Sequence, residues 1–128
     1  MWQLIDVDPD DIRAPFDIKR VYYLYGTNAD RGGHSHNRLT QVATSPVGGV
    51  TVVLEDSEGR TEVRLDDPRK GLIIGPGTWR EMKDFTPDNV MVVLAEDAYD
   101  ESDYVRDYAT FKQRAGRARQ WERDRTGD

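Results

Sequence analysis

The chain has no cysteine and only two histidines in 128 residues. Missing thiols exclude disulfides and thiolate-held metals, and they fit a cytoplasmic location. No stretch approaches the ~18 consecutive apolar residues of a membrane-spanning helix, so no membrane partner is expected. The opening residues Met1-Trp2-Gln3-Leu4-Ile5-Asp6 lack a basic stretch followed by an apolar one, which predicts no secretory signal. A basic face is missing too. The net charge is −6, and the one basic concentration (Arg114, Arg117, Arg119, Arg123 and Arg125) is interrupted by Glu122 and Asp124. That reads as a solvated tail, so no nucleic-acid partner is expected.

What is present is a charged, modestly apolar chain, with 33% charged and 37% hydrophobic residues. It suits one domain with a modest core. From about residue 18 to residue 95, Gly and Pro punctuate short β-rich runs. These are Ile18–Tyr25, His34–Thr44, Val50–Leu54, Thr61–Leu65, Gly71–Ile74, Trp79–Met82 and Val90–Ala95, with a loop over Gly26–Gly33. Short strands at such spacing predict a sandwich, barrel or jelly roll. Residues 1–17 form an N-terminal arm, in which Gln3–Val7 is a candidate strand for the barrel or for a neighbouring subunit. Residues 18–112 form the barrel, and residues 113–128 a charged tail. The stretch from Tyr108 to Trp121 lacks strand alternation and suits a short helix.

The two histidines, His34 and His36, stand two apart in a strand, so both imidazoles project from one face. Such a pair suits a metal or proton transfer. His-x-His also opens the metal motif of cupins, in which a Glu and then a Gly follow; here Gln41 and Gly48 hold those positions. The second motif, Gly71 to Arg80, keeps its Gly75-Pro76-Gly77 turn but has Arg80 where the third histidine ligand belongs. An amide does not neutralise a cation, and a guanidinium has no lone pair to give. No metal site and no cofactor are therefore expected. The same residues suit an anionic or carbonyl substrate. Arg80 and Arg31 can donate to phosphate or to an enolate oxygen, and Gln41 can orient a hydroxyl. One of Tyr22 and Tyr23 must face the interior.

Four stretches resemble the sugar 3,4-ketoisomerases, cupins that act on dTDP-4-keto-6-deoxyglucose. These are Phe16–Tyr23, the run Arg31-Gly32-Gly33-His34-Ser35-His36, Gly71–Met82 and Leu94–Tyr108. The resemblance covers roughly residues 12–112. It implies an all-β cupin jelly-roll barrel with a short C-terminal helix or tail. It also implies a cytoplasmic homodimer with exchanged N-terminal strands, and a metal-free isomerase of deoxysugar biosynthesis. The reaction moves the keto group of a dTDP-linked 4-keto-6-deoxyhexose from carbon 4 to carbon 3. His34 and His36 match the catalytic pair, and Arg31 matches the arginine before it. The position of Arg80 holds Arg or His in the family, which ties it to the face of the sugar that is reprotonated. Ser35 replaces the family's alanine, and the first strand is shorter than the family's.

The mechanism expected from these residues is general base catalysis. His34 removes the carbon-3 proton, His36 relays protons between the oxygens, and Arg80 or Tyr23 steadies the enediolate. Arg20 and Arg31 hold the pyrophosphate, and Trp79 or Tyr22 stacks near the thymine. Two rivals remain. A nucleotide-sugar 3,5-epimerase would want a His–Asp pair with a separate tyrosine acid, for which the sequence shows no clear counterpart. A non-catalytic sugar-binding cupin module would need neither histidine.

Overall fold

The computed structural model describes residues 1–8 and 10–116. The strands are β1 (Trp2–Asp6), β2 (Arg20–Tyr25), β3 (Arg31–His36), β4 (Gln41–Val47), β5 (Val50–Asp56), β6 (Gly59–Leu65), β7 (Lys70–Ile74), β8 (Trp79–Lys83), β9 (Val90–Ala95) and β10 (Tyr104–Val105). They form two five-stranded antiparallel sheets, ordered β1-β7-β4-β9-β2 and β10-β3-β8-β5-β6. A 3-10 turn, Glu101–Asp103, precedes β10, and residues 108–116 are helical. The expected all-β jelly-roll class with a short C-terminal helix is the one observed. Of the expected tail, residues 117–128 lie outside the described residues.

Strand alternation puts one apolar row of each sheet inside. Ala43, Val50, Val52, Leu54, Leu65, Leu72, Ile74, Met91 and Val93 form the core. Cross-strand register then sorts the interior along its length. In the first sheet Arg20, Ala95, Gln41, Ile74 and Trp2 make one row across the strands. In the second, Arg80 lies opposite both Leu54 and His34, and His36 lies opposite Tyr104. The polar inward residues therefore gather at one end, while Val50, Val52, Leu65 and Met91 close the rest.

Two boundaries differ from the sequence reading. The predicted strand His34–Thr44 is two strands, because the backbone at 38–40 bonds to side chains and not to a ladder. Asp103 takes the N–H groups of Arg38 and Leu39 at 2.8 and 3.2 Å, and Glu96 takes that of Thr40 at 2.7 Å. The predicted loop to Gly33 already contains the start of β3. Gly32 and Gly33 have φ of +84° and +73°, and the register shifts between Gly32 and His34. A Cβ on Gly32 would sit 2.9 Å from the carbonyl oxygen of Arg80, so only glycine suits this bulge. Of the arm, β1 belongs to the first sheet and pairs with β7 of its own chain.

The helix is pinned to the outer face of the second sheet. Asp107 caps it, accepting from the Thr110 N–H at 3.1 Å. Trp79 packs against Tyr108 and Phe111 with ring centroids 5.2 and 5.4 Å away. Beside them the buried Glu55 carboxylate accepts from the Tyr108 hydroxyl at 2.8 Å, Lys112 at 3.0 Å and Arg60 at 2.9 Å. Replacing Glu55 with Ala should lower unfolding stability by about 1–3 kcal/mol, because its partners lose their shared acceptor but can reach water. Urea denaturation read by far-ultraviolet circular dichroism checks this.

Candidate functional site

The polar end of the barrel is built around a charge. Arg80 is 2% exposed, with one guanidinium nitrogen donating to Gln41 Oε1 at 2.7 Å and another to the Thr78 carbonyl at 3.1 Å. Its Nε is buried with no partner among the described residues. Gln41 in turn donates from Nε2 to the Tyr22 hydroxyl at 3.3 Å. Burial lowers the Arg80 pKa to about 10, so the group remains a cation at neutral pH.

Strand β3 carries both histidines inward, with ring centroids 5.0 Å apart and nearly perpendicular planes. His34 is half-buried, whereas His36 is 1% exposed. The Nδ1 of His36 lies 3.1 Å from Asp103 Oδ2, and its Nε2 is buried without a partner. Tyr104 packs against both rings, at 4.8 Å from His34 and 4.3 Å from His36. Arg106 caps Tyr104 from 4.3 Å. Arg20 stands 5.1 Å from the Tyr22 ring and 5.8 Å from the Tyr99 ring, with two buried guanidinium nitrogens that have no partner among the described residues. A cavity of about 250 Å³ joins Arg20, His36, Arg38, Asp103 and Tyr104. A larger one, of about 610 Å³, touches His36 from the side of Asn37, Phe111 and Arg114, away from Arg20 and Tyr104. The smaller cavity meets Arg20, His36, Asp103 and Tyr104 of the ionisable cluster.

The electrostatics follow from burial beside a cation. Desolvation, then Arg80, then the neighbouring histidine bring the His34 pKa down to about 3. Desolvation and Arg80 bring His36 down to about 4, against the upward pull of Asp103. Burial pushes Asp103 up, but the Arg38 and Leu39 N–H groups and His36 outweigh it and hold the carboxyl below its usual range. Burial raises Tyr22. At neutral pH the site holds two neutral imidazoles, the Asp103 carboxylate and the Arg80 guanidinium, with Arg20 alongside. That set can take a proton from a carbon acid and stabilise an oxyanion.

Of the residues expected from sequence, His34, His36, Arg80, Gln41, Tyr22 and Arg20 come together. Three do not. Tyr23 is 64% exposed on the outer face of β2, because its neighbour Tyr22 takes the inner one. Trp79 is buried outside the barrel, under Tyr108 and Phe111, since Arg80 next to it points in. Arg31 is exposed at the start of β3, opposite Met82 and far along the strand from His36. Asp103 and Tyr104 join the site although the sequence reading gives them no role of their own. The Asp100-x-Ser102 capping pattern foretells a turn there, but not that the turn lies against β3. The His–Asp pair for which the sequence shows no clear counterpart is present in the fold, as His36 and Asp103. Among the described residues, no group of three or more His, Asp or Glu is placed to hold a metal.

Comparison with known proteins places the chain firmly. Residues 4–116 match the family described as FdtA: WxcM-like, C-terminal. The chain is 49% identical over 100 residues to the TDP-4-oxo-6-deoxy-alpha-D-glucose-3,4-oxoisomerase of Aneurinibacillus thermoaerophilus, covering 77% of this chain and 72% of that protein. It superposes on QdtA, a sugar 3,4-ketoisomerase from Thermoanaerobacterium thermosaccharolyticum solved with TDP. The TM-score is 0.84 at 38% identity, over 91% of this chain and 96% of that one. A mutant of QdtA has been solved with TDP-4-keto-6-deoxyglucose. A 3,4-ketoisomerase from Helicobacter canadensis gives a TM-score of 0.83 at 35% identity, over 90% of this chain and 97% of that one.

The depressed histidine pKa values set the sign of a pH test. Both imidazoles bind protons less readily folded than unfolded, so their burial favours the folded state above pH ~6.5 and progressively disfavours it below. Stability should therefore fall as pH drops from about 6.5 toward the folded values near 4 and 3. NMR titration should find both rings still neutral at pH ~5.5. Titration of either ring near 6.5 would contradict the buried, cation-facing site.

Proposed function

The chain belongs to the FdtA, WxcM-like C-terminal family, and we propose that it is an isomerase, a sugar 3,4-ketoisomerase of deoxysugar biosynthesis. Its substrate is TDP-4-keto-6-deoxyglucose and its product a TDP-3-keto-6-deoxyhexose. One observation carries this reading: two neutral histidines share the polar end of the barrel with a buried guanidinium, in a chain 49% identical to an oxoisomerase of that name.

The ketone at carbon 4 acidifies the hydrogen on carbon 3. His34, the more accessible ring, removes that proton, and the electron pair moves toward the carbonyl oxygen. His36 takes the proton of the carbon-3 hydroxyl and supplies one to the oxygen on carbon 4. Return of a proton to carbon 4 leaves the ketone at carbon 3. Arg80 serves the step twice. Its charge keeps both imidazoles deprotonated, and it favours the oxyanion that forms within the barrel. An imidazole with so low a pKa is a weak base. A bound pyrophosphate near Arg20 would raise both histidines by adding negative charge. The reaction needs no metal in this reading, because the third-ligand position holds Arg80 and the first carboxylate position Gln41.

The homodimer is part of the same proposal. Val21, Tyr23 and Tyr25 are 56%, 64% and 73% exposed along the outer face of β2, one of the two edge strands of the first sheet. An apolar row there suits a second subunit. Exchange of β1 between subunits would repeat across the dimer the β1–β7 pairing seen within the chain. A cytoplasmic setting suits the cysteine-free chain, and among the described residues no helix is long and apolar enough to cross a membrane.

The His36–Asp103 pair with Tyr104 beside it favours a second reading, the 3,5-epimerase, which inverts carbons 3 and 5 and leaves the ketone in place. NMR of the product from TDP-4-keto-6-deoxyglucose separates the two, and a keto shift to carbon 3 is expected. Replacing His34 with Asn should reduce turnover by ~10²–10⁴-fold and abolish exchange of the carbon-3 hydrogen with deuterated solvent, with an unchanged circular dichroism spectrum. Full exchange in that variant would remove His34 as the base.

A further inference from the structure

We propose that Asp103 is a positioning residue, fixing His36 as the Nδ1–H tautomer so that its Nε2 lone pair is the proton-accepting end inside the barrel. The inference rests on the ketoisomerase reading for its catalytic consequence, though not for its geometry.

The carboxylate is clamped. Oδ1 accepts from the Arg38 N–H at 2.8 Å and from Arg38 Nε at 3.4 Å. Oδ2 accepts from the Leu39 N–H at 3.2 Å and faces His36 Nδ1 at 3.1 Å. The Asn37 N–H reaches the Asp103 carbonyl at 3.0 Å, so the whole 36–39 corner is wrapped around one residue. An ionised carboxylate has no proton to offer, so Nδ1 must carry it. The lone pair is then left on Nε2, an atom that is buried and has no partner among the described residues. A buried acceptor without a donor is costly. A substrate hydroxyl would satisfy it.

The keto shift needs this asymmetry, because two different protons move. The carbon-bound proton goes to one base. The proton on the carbon-3 oxygen must leave as the carbonyl forms there, and the carbon-4 oxygen must gain one. With Nε2 unprotonated, His36 accepts from the first oxygen, becomes an imidazolium against the Asp103 carboxylate, and returns the proton to the second. The opposite tautomer would present an N–H to a hydroxyl that has a proton to lose. A merely structural Asp103, stapling the β3–β4 corner, would predict none of this.

Asp103→Asn separates the two roles. Its carbonyl can still accept from Arg38 at the Oδ1 position, but its amide presents N–H to Nδ1, which drives the proton to Nε2, and leaves the Leu39 N–H without its acceptor. The experiment is ¹⁵N NMR of the histidine rings in the full chain without substrate, with the two rings assigned by His34→Asn. The wild-type protein should show a protonated Nδ1 on His36, and Asp103→Asn a protonated Nε2. Turnover of TDP-4-keto-6-deoxyglucose should fall ~10²–10³-fold in Asp103→Asn with KM within about threefold, while carbon-3 deuterium exchange falls less than product formation. A wild-type His36 protonated on Nε2 would overturn the proposal, and this readout needs no folded Asp103 variant. Turnover within threefold of wild type in a variant with the switched tautomer would overturn it as well, as would equal losses of exchange and turnover with the tautomer unchanged. A wild-type protein that leaves the keto group in place counts against the isomerase reading, and the tautomer is still read.

Discussion

A guanidinium sealed inside an apolar barrel is expensive, costing several kcal/mol before compensation. Arg80 is that group. Its compensation is incomplete, with Gln41 and the Thr78 carbonyl as acceptors and Nε left over. Much else at this end of the molecule follows from holding it there. Gln41 has to be an amide, because its oxygen serves Arg80 while its nitrogen serves Tyr22. The histidines are kept neutral mainly by burial and then by this charge. A cation that depresses the basicity of its neighbours looks like a handicap for base catalysis. It is also the group that an enediolate would need most, so the resting site is poised for a negative charge that the reaction itself delivers.

The second organising group is a carboxylate of the opposite kind, shallow and multiply bonded. Asp103 sits on a single 3-10 turn capped by Asp100 through the Ser102 N–H at 3.0 Å. From there it reaches back to the corner between β3 and β4, more than sixty residues earlier in the chain. The arrangement lets a long connection bring chemistry to a strand that ended at His36. It also explains why β3 stops where it does: the next backbone donors are claimed by Asp103 and Glu96.

The strands were legible in the sequence because alternation and turn residues are local signals. Val90–Ala95 was read with its observed bounds, and the Gly71 and Trp79 runs to within a residue at either end. The face of the histidines was legible too, since i and i+2 in a strand share one side. Facing choices that depend on the partner sheet were not. Tyr22 and Tyr23 differ by one position, and only the β2–β9 register decides which enters. Trp79 looked like a stacking platform because nothing local announces that a C-terminal helix will cover it. Nothing local marks Asp103, because its role is set by a contact across the barrel mouth.

Strand β8 shows how narrowly such a design is drawn. Trp79 anchors the helix outside and Arg80 charges the interior, one residue apart. Point substitutions at either position act on one compartment at a time. Insertion or deletion of a single residue within β8 would act on both, because period-two alternation reverses beyond it. The indole would be driven into the polar end and the guanidinium under the helix. Over evolutionary time, length changes should therefore collect in the turns flanking β8, where an added residue leaves its facing untouched.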